Sequence, residues 1–288
     1  MIQLVTIFSG DYSASIKPFG AELCSVKQLT TNIEFVWQAD SIWPRHAPVL
    51  FPFVGRLRNF QYRFNGESYT IEQHGFARDL DFKVIEHLEN KVTFELTENQ
   101  YTLQRYPFLF RLRITYLLEA NQLTMSFEVI NTGNSTMPVT FGAHPAFAIS
   151  APSDVFIQFE SDANPKSWVL DGSYISNKTK SVTDGKGTIE ITNNTFSDDA
   201  LIFKFLNSKW VKLISPNDNK EIKFSLEGWP YLGIWAKPGA PFVCIEPWQG
   251  LADDVDFDGE VTKKEGMFIL SSNELIQKSF KMEFNQYR

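Results

Sequence analysis

The chain reads as an all-β protein, a large antiparallel β-sandwich, on three observations. Apolar and polar residues alternate strictly in run after run, short turn signals separate the runs, and no stretch of about 12 or more residues carries the period of an amphipathic helix. Alternation with period two marks a strand with one wet and one dry face. In chain order the apolar sets are Val92, Phe94, Leu96; Leu112, Ile114, Tyr116, Leu118; Leu123, Met125, Phe127, Val129; Val155, Ile157, Phe159; Val211, Leu213; Ile222, Phe224, Leu226; and Phe280, Met282, Phe284. Between them lie Asn65-Gly66, Asn131-Thr132-Gly133-Asn134, Asp171-Gly172, Asp184-Gly185-Lys186-Gly187 and Pro216-Asn217-Asp218-Asn219, signals of hairpin-like turns. Glu274 to Lys278 reads as a helical turn leading into the last run. No Pro-, Gly- or Ser-rich linker divides residues 1–288, so a single domain is expected. A sandwich this long needs many strands per sheet, and a large curved sheet offers a concave face to a polar ligand.

Composition narrows the function classes. With 26 Phe and 15% aromatics the chain favours broad, flat packing layers. A net charge of −7 argues against a nucleic-acid binder, although Arg56, Arg58 and Arg63 form a local basic cluster able to face an anion. Two cysteines, Cys24 and Cys244, do not make a disulfide scaffold and suit a reducing compartment. Met1 to Ser9 carries no basic leader pattern, and no apolar run reaches the roughly 18 residues of a membrane span. The Asn-x-Ser/Thr matches at Asn134, Asn177 and Asn193 are then chance occurrences. The expectation is a soluble, cytoplasmic protein with no membrane or nucleic-acid partner, monomeric or a homodimer.

Chemistry tends to sit where local folding rules are broken, and four segments break them. Pro48 to Arg58 is apolar, doubly proline-marked, and ends in Gly55, Arg56 and Arg58; a guanidinium fork there suits hydroxyl or carboxylate oxygens, against the competing reading of a strand-capping surface arginine. Gln73 to Asp79 sets His74 and Arg78 beside Gly75, which permits close backbone approach; a structural histidine is the competing reading. Phe141 to Phe147 wedges His144 against Pro145, which places it at a strand edge or bulge, where an imidazole titrates near neutrality. Phe242 to Gly250 puts Glu246 on an otherwise apolar strand face with Phe242 and Cys244. A carboxylate so placed must be paired, protonated or functional, and desolvation raises its pKa toward a general base's range. Trp248 offers a flat face to a sugar ring, or simply packs in the core.

Absences matter as well. Four histidines, none in close ligand spacing, argue against a metal centre, and no phosphate loop or nucleophile elbow is present. The apolar flanks of Cys244 suggest a packed thiol rather than an activated one.

Together, Pro48–Arg56, His74-Gly75-Phe76-Ala77-Arg78, Tyr106-Pro107-Phe108, Met137-Pro138 through His144-Pro145-Ala146-Phe147, and Glu246-Pro247-Trp248 resemble the aldose 1-epimerase (galactose mutarotase) family, and its LacX-like branch in particular. These five motifs occur in family order from about Gly20 to the end of the chain. The resemblance implies a galactose mutarotase-like supersandwich that binds a hexose on a concave sheet surface without cofactor or metal. It implies His144 as general acid, Glu246 as general base, and His74 and an arginine as sugar ligands. The arginine is taken as Arg56, with Arg58 left open because the family's Asn-Arg pair is replaced here by Asn59-Phe60. No residue is assigned to the family's sugar-binding aspartate, and Gly233-Ile234-Trp235 stands where a family glutamine often lines the site. Two alternatives remain open: a hexose-6-phosphate mutarotase, motivated by Arg78 and the Arg56/Arg58/Arg63 cluster, and a non-catalytic carbohydrate-binding or regulatory domain, since fold alone does not guarantee activity.

Overall fold

In the computed structural model, which describes residues 4–287 other than Ser153, the alternating runs become two large antiparallel sheets. The nine-stranded sheet runs, in spatial order, Thr188–Ile191, Val155–Phe159, Trp210–Ser215, Lys220–Ser225, Leu275–Asn285, Gln122–Asn131, Phe110–Glu119, Lys91–Thr97 and Lys83–His87. Its central strands alternate strictly between buried and half-buried residues, as in Phe110–Glu119 and its neighbour Gln122–Asn131, which pair Phe110 with Asn131 through to Glu119 with Gln122. One face meets the core and the other meets water.

The eight-stranded sheet follows the order Tyr174–Ser181, Lys166–Asp171, Leu201–Lys204, Tyr231–Trp235, Phe242–Trp248, Gly142–Ala143 and Val49–Leu50, with Ala146–Ala148 also paired to Phe242–Trp248. The period-two rule assigns its faces. Phe203 packs on Phe159 of the other sheet with ring centroids 5.2 Å apart, so the odd residues of Leu201–Lys204 point into the sandwich. Ile202 points the other way, into a smaller apolar cluster with Leu50, Val54, Ile175, Tyr231, Trp248 and Leu251. Phe242–Trp248 is therefore buried on both faces, one against the sandwich core and one beneath a cavity.

The turns follow their residues. Asn65 and Gly66 both take positive φ, 51° and 84°, and close the hairpin of Gln61–Phe64 with Glu67–Thr70. Gly172, at φ 62°, turns Lys166–Asp171 into Tyr174–Ser181 and carries Ser173 to the cavity rim. One expectation fails: Glu274 to Lys278 is not a helical turn, because the strand begins at Leu275. Its backbone is committed to Gln122–Asn131 from the Ile130–Leu275 pair onward, and that pairing overrides local propensity.

Candidate active site

Backbone register sets the centre of the site. Gly142 pairs with Trp248 and Ala146 with Cys244, so one register runs through both short strands and places residue 144 opposite residue 246. Directly opposed residues share a face, and His144 Nε2 lies 3.1 Å from Glu246 Oε2. Pro145 interrupts the ladder here without leaving the segment on an outer edge. Its carbonyl accepts from the Ile245 amide, the His144 amide donates to the Pro48 carbonyl, and neighbouring strands lie on both sides. The expected strand edge is thus a gap inside the sheet, created by the missing proline donor.

Both side chains are buried, His144 being 11% exposed and Glu246 only 1%. Burial pushes the His144 imidazole down to about 3, helped by the charges of Arg78 and Arg45. Burial likewise holds the Glu246 carboxyl well above the usual carboxylate range, with Asp199 adding to the rise and Trp248 opposing it. Both shifts favour the uncharged form of the group concerned. The sequence expectation of an imidazole titrating near neutrality is corrected accordingly, because the site is drier than a strand edge would be.

A cavity of about 340 Å³ opens above the pair, at the small end of the range for ligand pockets. His74 forms part of its wall at φ 67°, strained for a residue with a side chain. Its Nδ1 accepts the Gly55 amide, 3.1 Å away, which puts the ring proton on Nε2, where the Gln73 side-chain amide accepts it only through its oxygen. Burial, then the nearby Arg78, keep His74 neutral by holding its pKa well below the ordinary value. Its ring stands edge-on to His144 at 5.9 Å. Arg56 also lines the cavity, its guanidinium 4.3 Å above the Phe60 ring and donating to Ser173 Oγ. Arg58 turns away to the Phe257 carbonyl in another cleft, and Arg63 pairs loosely with Asp258, so the basic cluster read from the sequence is not one cluster. Arg78 lines the cavity and donates to the Gln73 carbonyl. Trp248 both packs and lines: its ring lies on Gly233, where a Cβ would come within 2.4 Å of it.

Several lining residues escaped sequence reading. Trp43 stacks on His144 at 5.2 Å and meets Trp235 edge-on at 5.8 Å, so indoles wall one side of the pair. Arg45 shares Asp79 with Arg78. Asp199, at φ 76° just before Leu201–Lys204, lines the cavity and acts electrostatically on Glu246. Trp43-Pro44-Arg45 was a readable polar-aromatic cluster beside a proline; Asp199, in an ordinary polar loop, offered no local signal.

A buried imidazole–carboxyl pair thus lies beneath a small polar cavity in a large antiparallel β-sandwich. In sequence, the model of the family described as Aldose 1-epimerase matches residues 3–268, and the chain belongs to that family. It is 32% identical to the chromosomal protein LacX of Lactococcus lactis subsp. lactis over 260 residues, covering 85% of this chain and 87% of that protein. Among solved structures, a galactose mutarotase related enzyme from Lactobacillus acidophilus superposes with TM-score 0.94 at 34% identity, covering 99% of this chain and 98% of that one. A galactose mutarotase-like protein from Lactobacillus casei gives 0.93 at 30% identity, covering 98% of this chain and all of its own. No helix among the described residues is long and apolar enough to cross a membrane.

Proposed function

We propose that the chain interconverts the α and β anomers of a hexose, with His144 and Glu246 as its proton-transfer pair. The 3.1 Å contact between these groups beneath the cavity carries the proposal. The carboxyl proton crosses that contact to the imidazole, giving carboxylate and imidazolium without exchange with solvent. Glu246 then removes the proton from the C1 hydroxyl while His144 donates one to the ring oxygen, and the C1–O5 bond breaks. The pair in the ring-open intermediate is again neutral, the state that burial favours. Rotation about C1–C2 and the same transfers in reverse close the ring on its other face. Arg56 and His74 hold the ring hydroxyls, Asp199 takes the place of the family's sugar-binding aspartate, and Trp248 faces the ring.

Turnover separates this reading from a silent binding module. Freshly dissolved α-glucose or α-galactose followed by polarimetry should relax far faster with the protein than without it; relaxation at the spontaneous rate leaves only the binding module. The pair also predicts a pH profile. His144 takes a second proton only as the pH falls toward about 3, so kcat/KM should show no loss from imidazole protonation as the pH is lowered from about 7 to 5. An imidazole with an ordinary pKa would bend the profile near 6.5, a result that refutes the neutral pair.

A second reading rests on charge. Arg45, Arg56 and Arg78 line one cavity, and Arg56 Nε is buried with no hydrogen-bond partner. Three guanidiniums around one cavity suit an anionic group on the sugar, such as a 6-phosphate. The expected result is a preference of about tenfold or more in kcat/KM for the phosphate over the parent hexose, corresponding to about 1.4 kcal/mol. Arg78→Ala should remove it. Equal rates on both sugars would leave the neutral hexose as substrate.

A further inference from the structure

Beneath the proposed proton pair lies a group that the reaction does not use. Cys244 is fully buried, forms no disulfide, and sits two residues before Glu246 on the same strand face. The donor atoms of His144, Cys244 and Glu246 all lie within 4.8 Å of one another. We infer that these three side chains form a guest site for a thiophilic divalent cation at the cavity floor, and that a cation held there blocks the enzyme.

The geometry is close to what such an ion requires. Two ligands each about 2.0–2.1 Å from a tetrahedral Zn²⁺ stand about 3.3 Å apart, and His144 Nε2 and Glu246 Oε2 stand 3.1 Å apart. In the same tetrahedral geometry a Zn–S bond of about 2.3 Å and a Zn–N bond of about 2.05 Å hold their ligand atoms about 3.6 Å apart, so from a separation within 4.8 Å the thiol closes on the ion by an inward shift of about 1 Å at most. Glu246 lines the cavity, and its buried Oε2 has only the His144 Nε2 beside it at 3.1 Å. The imidazole, thiolate and carboxylate donor set suits Zn²⁺ or its soft relatives. The cavity leaves the fourth position open to water or a sugar hydroxyl.

The surroundings identify a guest rather than a resident ion. A histidine that holds a permanent metal nearly always donates through its second nitrogen to a fixed acceptor, whereas His144 Nδ1 is buried with no partner. Loss of such an outer partner typically costs about 10–100-fold in affinity. The cation therefore binds reversibly and competes with substrate for the same two groups. Binding stands on the geometry alone; inhibition rests on the reading of His144 and Glu246 as the proton pair.

Cobalt makes the test optical, since thiolate ligation of Co²⁺ produces a near-ultraviolet charge-transfer band. Titration of the whole protein with Co²⁺ should produce that band in the wild type and in Cys24→Ser, since the Cys24 thiol donates to the Glu22 carbonyl and is not among the three grouped donors. The band should vanish in Cys244→Ser and His144→Asn, with circular dichroism confirming that both remain folded, and Zn²⁺ should displace it from the wild type. Absence of the band, or its survival in Cys244→Ser, overturns the inference. In parallel, Zn²⁺ should slow anomer exchange over the concentration range in which it displaces cobalt; unchanged exchange there overturns the inhibitory part. A protein that binds cobalt through Cys244 yet never accelerates exchange keeps the site and removes the proton-pair reading. An active enzyme with no band does the reverse.

Discussion

Glu246→Gln is expected to leave a folded protein whose anomer exchange is slower by about 10²–10⁴-fold, the worth of one positioned proton transfer. The amide matches the carboxyl in shape and, like the carboxyl that burial holds neutral, brings no charge into the strand. Packing between His144, Cys244 and Trp248 is therefore kept while the transferable proton is lost. Glu246 Oε2 faces His144 Nε2 at 3.1 Å, and an amide can keep that contact, so the stability cost should stay within about 1 kcal/mol. Polarimetry for rate and thermal unfolding for stability separate the two effects. Near wild-type exchange would remove Glu246 from the chemistry, and gross unfolding would show that the carboxyl supports structure instead.

The largest expected loss of stability belongs to Gly75→Ala. Gly75 sits at φ 72°, and a Cβ there would lie 2.1 Å from the Phe51 carbonyl oxygen. Neither side can yield easily. The Phe51 carbonyl accepts from the amides of Phe76 and Ala77, and the Phe51 amide donates to the His74 carbonyl. A clash with hydrogen-bonded backbone at a left-handed position belongs to the severe class of substitutions, about 3–5 kcal/mol. For a chain of this size that lowers Tm by roughly 10 °C. Gly75→Ala should also displace the adjacent His74 from the cavity wall. A scan showing Tm within about 2 °C of wild type would mean that this backbone crossing is softer than its contacts imply.

What was legible in the chain follows from how local each signal is. Alternation in Phe110–Glu119 and Gln122–Asn131 records a sheet face directly, because each side chain's environment is set by its own position in the pleat. His144 and Glu246 stood out by violating local rules, one beside a helix- and ladder-breaking proline, the other as a charge on an apolar face. Their opposition did not stand out, since it depends on Gly142 pairing with Trp248 more than a hundred residues away. The same holds for Asp199, Arg45 and Ser173, which reach the cavity from loops brought together only by the folded sheet. The choice between Arg56 and Arg58 likewise needed the backbone, because Asp253 fastens that loop through the Arg56 carbonyl and the Arg58 amide, turning the two side chains apart. Burial, too, is a tertiary property. The sequence suggested an imidazole near neutrality, while the packed indole of Trp43 and the surrounding sheet dry it.

Groups that act as a unit cost little more when removed together than when removed singly. The direct test is therefore anomer exchange measured by NMR for the wild type, His144→Asn, Glu246→Gln and the double variant. The account predicts rapid exchange in the wild type and three variants slowed to nearly the same extent. Independent losses that multiply in the double variant, or exchange that survives in both single variants, would contradict a shared proton relay at this site.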